Sequence, residues 1–321
     1  MSDVLRPPVS GFIRRAVIDI GTNSVKLLVA DVAGGHVETV LERSEQTRLG
    51  AGFYTDHRLR PENIANTARA VAEFATLAQV QGAAVPRVIA TSAAREAMNA
   101  EELLAAVRQS SGLQTEVISG EQEAEWVYQG ATLGVAAADH PLLVMDLGGG
   151  STEFILGHAG HQSAWCSVKL GTVRWLERMP PGDPPTVEEL QNCRASLREF
   201  LAKGVEPLLA ATWESLNRRP ECLVGTGGTS TILARMEKRL IKHDGRQIEG
   251  TFLTAAQVRA RVEELWSLSL ERRREVAGLP ANRADVILFG AAIYEAVLEQ
   301  FRIAGLRVSA RGLRHAAILV D

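Results

Sequence analysis

Two short stretches carry the same unusual order of residues, 127 positions apart (146 − 19 = 127). Near the N-terminus the chain reads Ile18-Asp19-Ile20-Gly21-Thr22-Asn23-Ser24, followed by an apolar run from Val25 to Val29. Later it reads Met145-Asp146-Leu147-Gly148-Gly149-Gly150-Ser151, followed by Thr152, Glu153 and apolar Phe154 to Leu156. Asp19 matches Asp146, Gly21 matches Gly148 and Ser24 matches Ser151. In both copies an apolar strand delivers an aspartate into a glycine-bearing turn, and a second apolar strand leads away. Such a turn leaves backbone N–H groups bare and facing one concavity, which is how a chain cradles phosphate oxygens. Glycine suits the turn because a side chain would hold the backbone off an anion and would resist positive φ. Two copies in register, a domain's length apart, predict a duplicated fold with two facing loops and a ligand in the cleft between the halves.

Asp146 and Glu153 cannot contact phosphate directly, because like charges repel. They make sense beside a hard divalent cation or a polarised water. The plainer alternative is a glycine-rich hairpin with two solvated acids, and the second copy argues against it. Three further junctions add candidates. A strand from Arg87 to Thr91 runs into Ser92-Ala93-Ala94-Arg95, where an arginine at a helix start suits a phosphate oxygen. A strand from Thr115 to Ile118 runs into a helix whose first turns hold Glu121, Glu123 and Glu125. Acids there are favoured by the helix dipole, and one of them facing the cleft would serve as a general base. Spacing does not choose among the three. Cys222 to Val224 lead into Gly225-Thr226-Gly227-Gly228-Thr229-Ser230, a strand, glycine loop and helix start that offers N–H groups to another anionic part of the ligand.

A length of 321 residues suggests two domains with an ample core in each. The net charge of −3 argues against a generic nucleic-acid binder. Cys166, Cys193 and Cys222 form no C-x-x-C pair, so neither zinc nor a disulfide framework is signalled. His158 and His161 flank Ala159-Gly160 in a hairpin turn and do not read as metal ligands. Met1 to Arg15 has no apolar core of a signal peptide and no run reaches membrane-spanning length, so a cytoplasmic location is expected. Helices are predicted from Pro61 to Gly82, from Asn99 to Gly112 with Asn99 and Glu102 as a capping box, and from Thr186 with Glu189 as its cap. A long apolar helix, Val286 to Phe301, a strand, Leu306 to Ser309, and a helix, Arg311 to Val320, close the chain. Arg235, Lys238, Arg239, Lys242 and Arg246, with Arg272-Arg273-Arg274, would track a long polyanion or form a solvated face.

In this order the stretches IDIGTNSVKLLV, RLGAGF, ATSAAREAMN, ISGEQEAEW, MDLGGGSTEF, SVKLGTVR, GTGGTS, NRADVILFGAAI and SARGLR resemble the exopolyphosphatase / guanosine pentaphosphate phosphatase family, in its short two-domain form. The resemblance implies an α/β fold of duplicated ribonuclease H-like domains of the actin / sugar kinase / heat-shock ATPase superfold, with the active site in the interdomain cleft. It implies a first domain over 14–120, completed by 305–321, and a second over 121–304. It further implies release of terminal orthophosphate from inorganic polyphosphate, or of the γ-phosphate of guanosine pentaphosphate, with magnesium or manganese. By the family's motif the catalytic glutamate falls on Glu123 and the metal-site acids on Asp146 and Glu153. The implied phosphate-binding set is Asp19, Gly21, Thr22, Asn23, Ser24, Arg95, Gly148, Gly149, Gly150, Ser151, Thr152, Gly227 and Gly228. A polyphosphate or nucleotide phosphotransferase, and a non-catalytic sensor of guanosine tetra- or pentaphosphate, are the alternatives. His315 stands where the family usually has glutamate, and longer members continue into a helical extension that supports processive action. Polyphosphate is the expected partner, with no nucleic acid and no membrane; the oligomeric state stays open, a homodimer among the options.

Overall fold

The computed structural model makes a β-hairpin of the first repeat. Strand β1 (Ile13–Ile20) pairs antiparallel with β2 (Val25–Ala33), and β2 with β3 (His36–Glu45). The chain crosses through α1 (Pro61–Val80) to β4 (Arg87–Ala90), parallel to β1. Helices α2 (Ser92–Glu96) and α3 (Ala100–Ser111) precede β5 (Thr115–Val117), parallel to β4. The sheet order is β3-β2-β1-β4-β5. Alternate β1 residues Ile18 and Ile20 pack with Val71, Phe74 and Leu103 into one core. Asp19 therefore points to the other face. That face is covered by the C-terminal helix Leu313–Ala317, and Arg15 donates to the Ile318 and Leu319 carbonyls that follow it.

The second repeat rebuilds the same sheet. After α4 (Gly120–Thr132), strands β6 (Leu142–Leu147), β7 (Thr152–His158) and β8 (His161–Val168) form an antiparallel meander. Helices α5 (Thr172–Arg178), α6 (Val187–Gly204) and α7 (Glu206–Ser215) lead to β9 (Leu223–Thr226), parallel to β6. Helix α8 (Gly227–Glu237) follows β9 directly. Strand β10 (Phe252–Thr254) pairs antiparallel with β11 (Gly305–Val308), which runs parallel to β9. The order is β8-β7-β6-β9-β11-β10. Set beside the first sheet, its first five strands have the same order and directions, and β10 is an added edge. The helix Ile287–Phe301 is buried almost all round and forms the centre of this core with Phe154, Trp175 and Leu223.

The structure describes residues 11–133, 141–158, 161–215, 220 and 223–320. Cys222, the turn between His158 and His161, and most of the N-terminal stretch read for a signal peptide lie outside them. Contacts divide the chain into Met1–Trp126 with Leu313–Asp321, and Val127–Gly312. The first unit thus gains only the segment from Leu313, not 305–321, because β11 is hydrogen-bonded into the second sheet. The other boundary falls inside α4 rather than before it. Asn99 also departs from expectation. Its side chain makes no cap bond; it accepts from Leu59 N–H at 2.8 Å and donates to Leu59 O, clamping a preceding loop. Thr186 and Glu189 do form the capping box. Among the described residues no helix is long and apolar enough to cross a membrane.

Candidate functional site

In the first unit the parallel pairing of β1, β4 and β5 brings three chain exits to one edge of the sheet. Ile20 pairs with Ala90 and Ala90 with Val117, so the Gly21–Ser24 loop, the start of α2 and the start of α4 lie side by side. Thr91 N–H donates to Ile20 O and Ile118 N–H to Ala90 O, which extends the ladder into the loops. Loops beyond the carboxyl ends of parallel strands are where α/β sheets bind ligands. In the second unit Asp146 pairs with Thr226, so the Gly148–Ser151 loop and the Gly227 start of α8 share the corresponding edge.

The two hairpin loops are closed by the same bond: Gly21 N–H donates to Ser24 O at 3.0 Å, and Gly148 N–H to Ser151 O at 3.0 Å. A Cβ would stand 3.2 Å from Ser24 O at Gly21 and 3.1 Å from Ser151 O at Gly148. Neither glycine has positive φ, so close approach, not a left-handed backbone, requires them. Only Gly227, at φ +87°, has the conformation expected for the glycines of these loops.

A second segment holds each loop from behind. In the first unit Gly50 N–H donates to Thr22 O at 2.8 Å and Arg48 N–H to Asn23 O at 3.1 Å. In the second, Thr172 N–H donates to Gly148 O at 3.1 Å, and Val173 and Arg174 N–H to Gly149 O at 2.9 and 3.1 Å. Arg174 Nε donates to Gly150 O at 2.7 Å. In a planar trans peptide the C=O of one residue and the N–H of the next point in opposite directions. Tying down the carbonyls of 148, 149 and 150 therefore turns the N–H groups of Gly149, Gly150 and Ser151 the other way, together. The same argument turns out Asn23 and Ser24. The N–H groups of Asn23, Gly149, Gly150 and Ser151 have no backbone acceptor among the described residues. A run of N–H groups turned one way has the geometry of an anion-binding nest.

Thr152 does not join it. The residue is fully buried and its hydroxyl donates to Leu170 O at 2.6 Å, so its expected contact with phosphate is withdrawn. Gly21 and Gly148 likewise use their N–H groups to close the turns. Asn23 Oδ1 accepts from Gln46, which leaves its backbone rather than that side-chain oxygen to the ligand.

The duplicated aspartates have different opposites. Asp19 faces Lys26 across β1 and β2, whereas Asp146 faces Glu153 across β6 and β7. Directly opposed residues have Cβ atoms about 5 Å apart, and like charges there are destabilising. Glu153 is 2% exposed and accepts from Ser167 Oγ at 2.8 Å. Its charge, after burial, helps push the neighbouring Cys166 thiol up to about 12. Asp146 is half-buried against the start of α8, where a Cβ on Gly227 would fall 2.3 Å from Asp146 Oδ1. A glycine keeps that carboxylate's place open. Among the described residues no three His, Cys, Asp or Glu side chains converge on a metal position. Mg²⁺ needs fewer, since it is held by one or two carboxylates plus water and phosphate oxygens. The opposed pair Asp146 and Glu153 fits that demand.

Asp19 lies beneath its loop. It is buried, one carboxylate oxygen has no hydrogen-bond partner, and burial raises its pKa against the lowering by Lys26 and Arg314. A like-charged phosphate is not held by such a group directly. Arg314, which the sequence did not single out, donates to Leu27 O at 2.8 Å and to Glu42 at 2.9 Å. His315 beside it is buried.

Of the three acids at the start of α4, Glu123 is the buried one, while Glu121 and Glu125 are exposed. Arg95 Nη1 donates to Glu123 Oε2 at 2.9 Å and to Ile118 O at 2.9 Å. The structure thus joins the arginine and the acid that the sequence placed 28 residues apart. Cys166 and Cys193 are free, buried and held up to about 12 mainly by burial, so neither is a nucleophile at neutral pH.

The basic stretch divides. Arg235 donates to Leu240 O and Ile241 O, and Arg273, 3% exposed, donates to Ala284 O and Leu268 O. Both clamp backbone carbonyls and do not face a polyanion. Lys238, Arg239, Lys242, Arg246, Arg272 and Arg274 remain exposed. Sequence reading missed Arg174 and the kinship of Arg48-Leu49-Gly50 with Lys169-Leu170-Gly171. That repeated tripeptide was the available signal for the segments that back the two loops. A Cβ on Gly171 would lie 2.4 Å from Gly149 O, and one on Gly50 2.3 Å from the Thr22 methyl carbon.

Comparison with known proteins shows the family. The model of the Ppx/GppA phosphatase family matches residues 28–321. Exopolyphosphatase 2 of Mycobacterium tuberculosis is 35% identical over 301 residues, covering 90% of this chain and 91% of that protein. The crystal structure of the Aquifex aeolicus Ppx/GppA family member superposes with a TM-score of 0.77 at 32% identity, covering 96% and 97% of the two chains. An exopolyphosphatase from Cytophaga hutchinsonii gives a TM-score of 0.82 at 25% identity, over 94% and 96%.

Proposed function

Because the chain belongs to the Ppx/GppA phosphatase family, we propose that it is an exopolyphosphatase that releases orthophosphate from the end of inorganic polyphosphate with Mg²⁺, and that guanosine pentaphosphate is a second substrate. The observation that carries this reading is the pair of backed hairpin loops. Each turns N–H groups outward in one direction, at the edge of a sheet where ligands are bound. Exopolyphosphatase 2 of M. tuberculosis, so similar over nearly the whole chain, supports the polyphosphate substrate.

Asn23, Ser24, Gly149, Gly150 and Ser151 offer backbone donors to phosphate oxygens, and Arg95 adds a charged donor. Glu123 orients a water and takes its proton as the water oxygen forms a bond to the terminal phosphorus. The bridging P–O bond breaks in line, and the shortened polyphosphate leaves as the anion. Asp146 and Glu153 would hold Mg²⁺, with Ser167 fixing the Glu153 carboxylate. The bound ion would neutralise charge on the phosphoryl oxygens. The exposed cations Lys238, Arg239 and Lys242 offer a short track to a longer chain.

A phosphate-release assay without any acceptor tests the reading, run on tripolyphosphate, long polyphosphate, guanosine pentaphosphate and ATP. Release from polyphosphate is expected to exceed release from ATP. Turnover that appears only when an acceptor hydroxyl is added would make the protein a phosphotransferase instead.

A further inference from the structure

We infer that Arg174 is a positioning residue for catalysis: it fixes the orientation of the Gly150–Ser151 peptide and so aims the Ser151 N–H at the phosphoryl group. The inference rests on the phosphatase reading above for its substrate.

Three successive peptides of this loop are tied from behind, and the ties differ in kind. The carbonyls of Gly148 and Gly149 are held by backbone N–H groups of 172–174, which any sequence supplies. The Gly150 carbonyl is held by a side chain, Arg174 Nε at 2.7 Å. Reorienting this peptide turns ψ of Gly150, where no Cβ restricts the backbone, together with φ of Ser151. A guanidinium N–H on the carbonyl is a charge-assisted bond, stronger than a neutral one. Planarity then sends the Ser151 N–H to the side opposite Arg174, alongside those of Gly149 and Gly150.

Among its described residues the first unit has no equivalent. Counting from the shared tripeptides (Arg48-Leu49-Gly50 and Lys169-Leu170-Gly171, offset 121), the position of Arg174 is taken by Phe53, which is buried in the core. The second loop therefore carries an additional, side-chain lock. A donor aimed at developing phosphoryl charge before substrate arrives costs no reorganisation during reaction.

The experiment follows the amides rather than activity alone. In ¹⁵N-labelled full-length protein, inorganic phosphate with Mg²⁺ is expected to shift the amides of Gly149, Gly150, Ser151 and Ser24. In Arg174→Met the Ser151 shift should vanish while the Ser24 shift persists, which also reports that the fold is intact. Turnover of tripolyphosphate should fall in kcat about 10²- to 10³-fold, as for other lost oxyanion donors, with KM changed much less. Arg174→Lys, which keeps the charge and a donor, should recover part of both. If Arg174→Met is too unstable for spectra, a Ser151 shift in Arg174→Lys no smaller than in the parent overturns the inference, and a weakened one supports it. An unchanged Ser151 response in Arg174→Met overturns it as well. Should the parent release no orthophosphate from any polyphosphate, the phosphatase reading fails, and the amide shifts still decide the role of Arg174.

Discussion

Arg95 and Glu123 form an ion pair, Nη1 to Oε2 at 2.9 Å, between the first turn beyond β4 and the first turn of α4. The same Nη1 is fixed by Ile118 O, so the guanidinium is anchored to backbone on one side and orients a buried carboxylate on the other. Its Nε and Nη2 have no partner among the described residues. One side chain can therefore hold the proposed base in place and still present donors to a phosphate oxygen.

For Glu123 this implies a clean test. Glu123→Gln keeps the shape and can still accept from Arg95, but it cannot take a proton. We expect kcat to fall about 10²- to 10⁴-fold with KM nearly unchanged. Glu121→Gln and Glu125→Gln, at exposed positions, should retain activity. Loss of activity in either neighbour, with Glu123→Gln near the parent rate, would move the base elsewhere.

For the metal, the opposed carboxylates predict a requirement that depends on how Glu153 is held. Asp146→Asn should abolish turnover at ordinary Mg²⁺ concentrations, and chelator should do the same to the parent. Ser167→Ala removes only the hydroxyl that orients Glu153. Losses of such supporting groups weaken metal binding roughly 10- to 100-fold. Isothermal calorimetry with Mg²⁺ and tripolyphosphate in a Glu123→Gln background should show that weakening without any chemistry. Full turnover of the parent in excess EDTA would remove the metal from the reading.

The duplication was legible because it is written in local residues: an aspartate, a glycine and a serine at fixed spacing need no knowledge of the rest of the fold. The matching strand orders of the two sheets then follow. What lay hidden depends on pairing. Lys26 and Glu153 hold equivalent places, yet only the register shows that one faces Asp19 and the other Asp146. Glu123 could not be told from its neighbours by spacing, since helix burial, not sequence distance, separates them. Arg235 and Arg273 read as surface charge because composition says nothing of the carbonyls they clamp. Thr152 read as a phosphate ligand because the Leu170 carbonyl that takes its hydroxyl comes from 18 residues away.

That division of the basic stretch sharpens the expectation for long substrates. Lys238→Ala, Arg239→Ala and Lys242→Ala together should raise KM for long polyphosphate more than for tripolyphosphate, and should flatten the salt dependence of the long-chain KM. The cause is counterion release, which scales with the number of phosphates neutralised. Arg273→Ala should instead lower the melting temperature, because it leaves the buried Ala284 carbonyl without its donor, and Arg235→Ala should do so less, since its carbonyl partners are part-buried or exposed. Equal effects of the triple substitution on both substrates would assign those cations to a solvated face.

Asp19 offers the opposite balance, stability given up at a functional position. Its carboxyl is buried with an unpartnered oxygen, and burial raises its pKa more than Lys26 and Arg314 lower it. An acid with a raised folded-state pKa contributes stability that is fully present below its unfolded value, about 3.9. That stability is lost as pH rises through the folded value, because the unfolded chain then binds fewer protons than the native one. At neutral pH the charge therefore costs stability. Asp19→Asn removes the charge at nearly constant shape, and relief of a poorly satisfied buried group is worth about 1–3 kcal/mol. For a chain of this size that should raise the melting temperature at pH 7 by roughly 1.5 °C per kcal/mol. The gain should shrink as pH falls toward 4, where the parent aspartate is itself protonated. Turnover should drop, since the substitution also alters the charge beneath the first phosphate loop, and gains in stability at such sites commonly come with lost function. Calorimetry of both proteins between pH 4 and pH 8 decides it. A lower melting temperature for Asp19→Asn at pH 7 would mean that attraction to Lys26 and Arg314 outweighs burial.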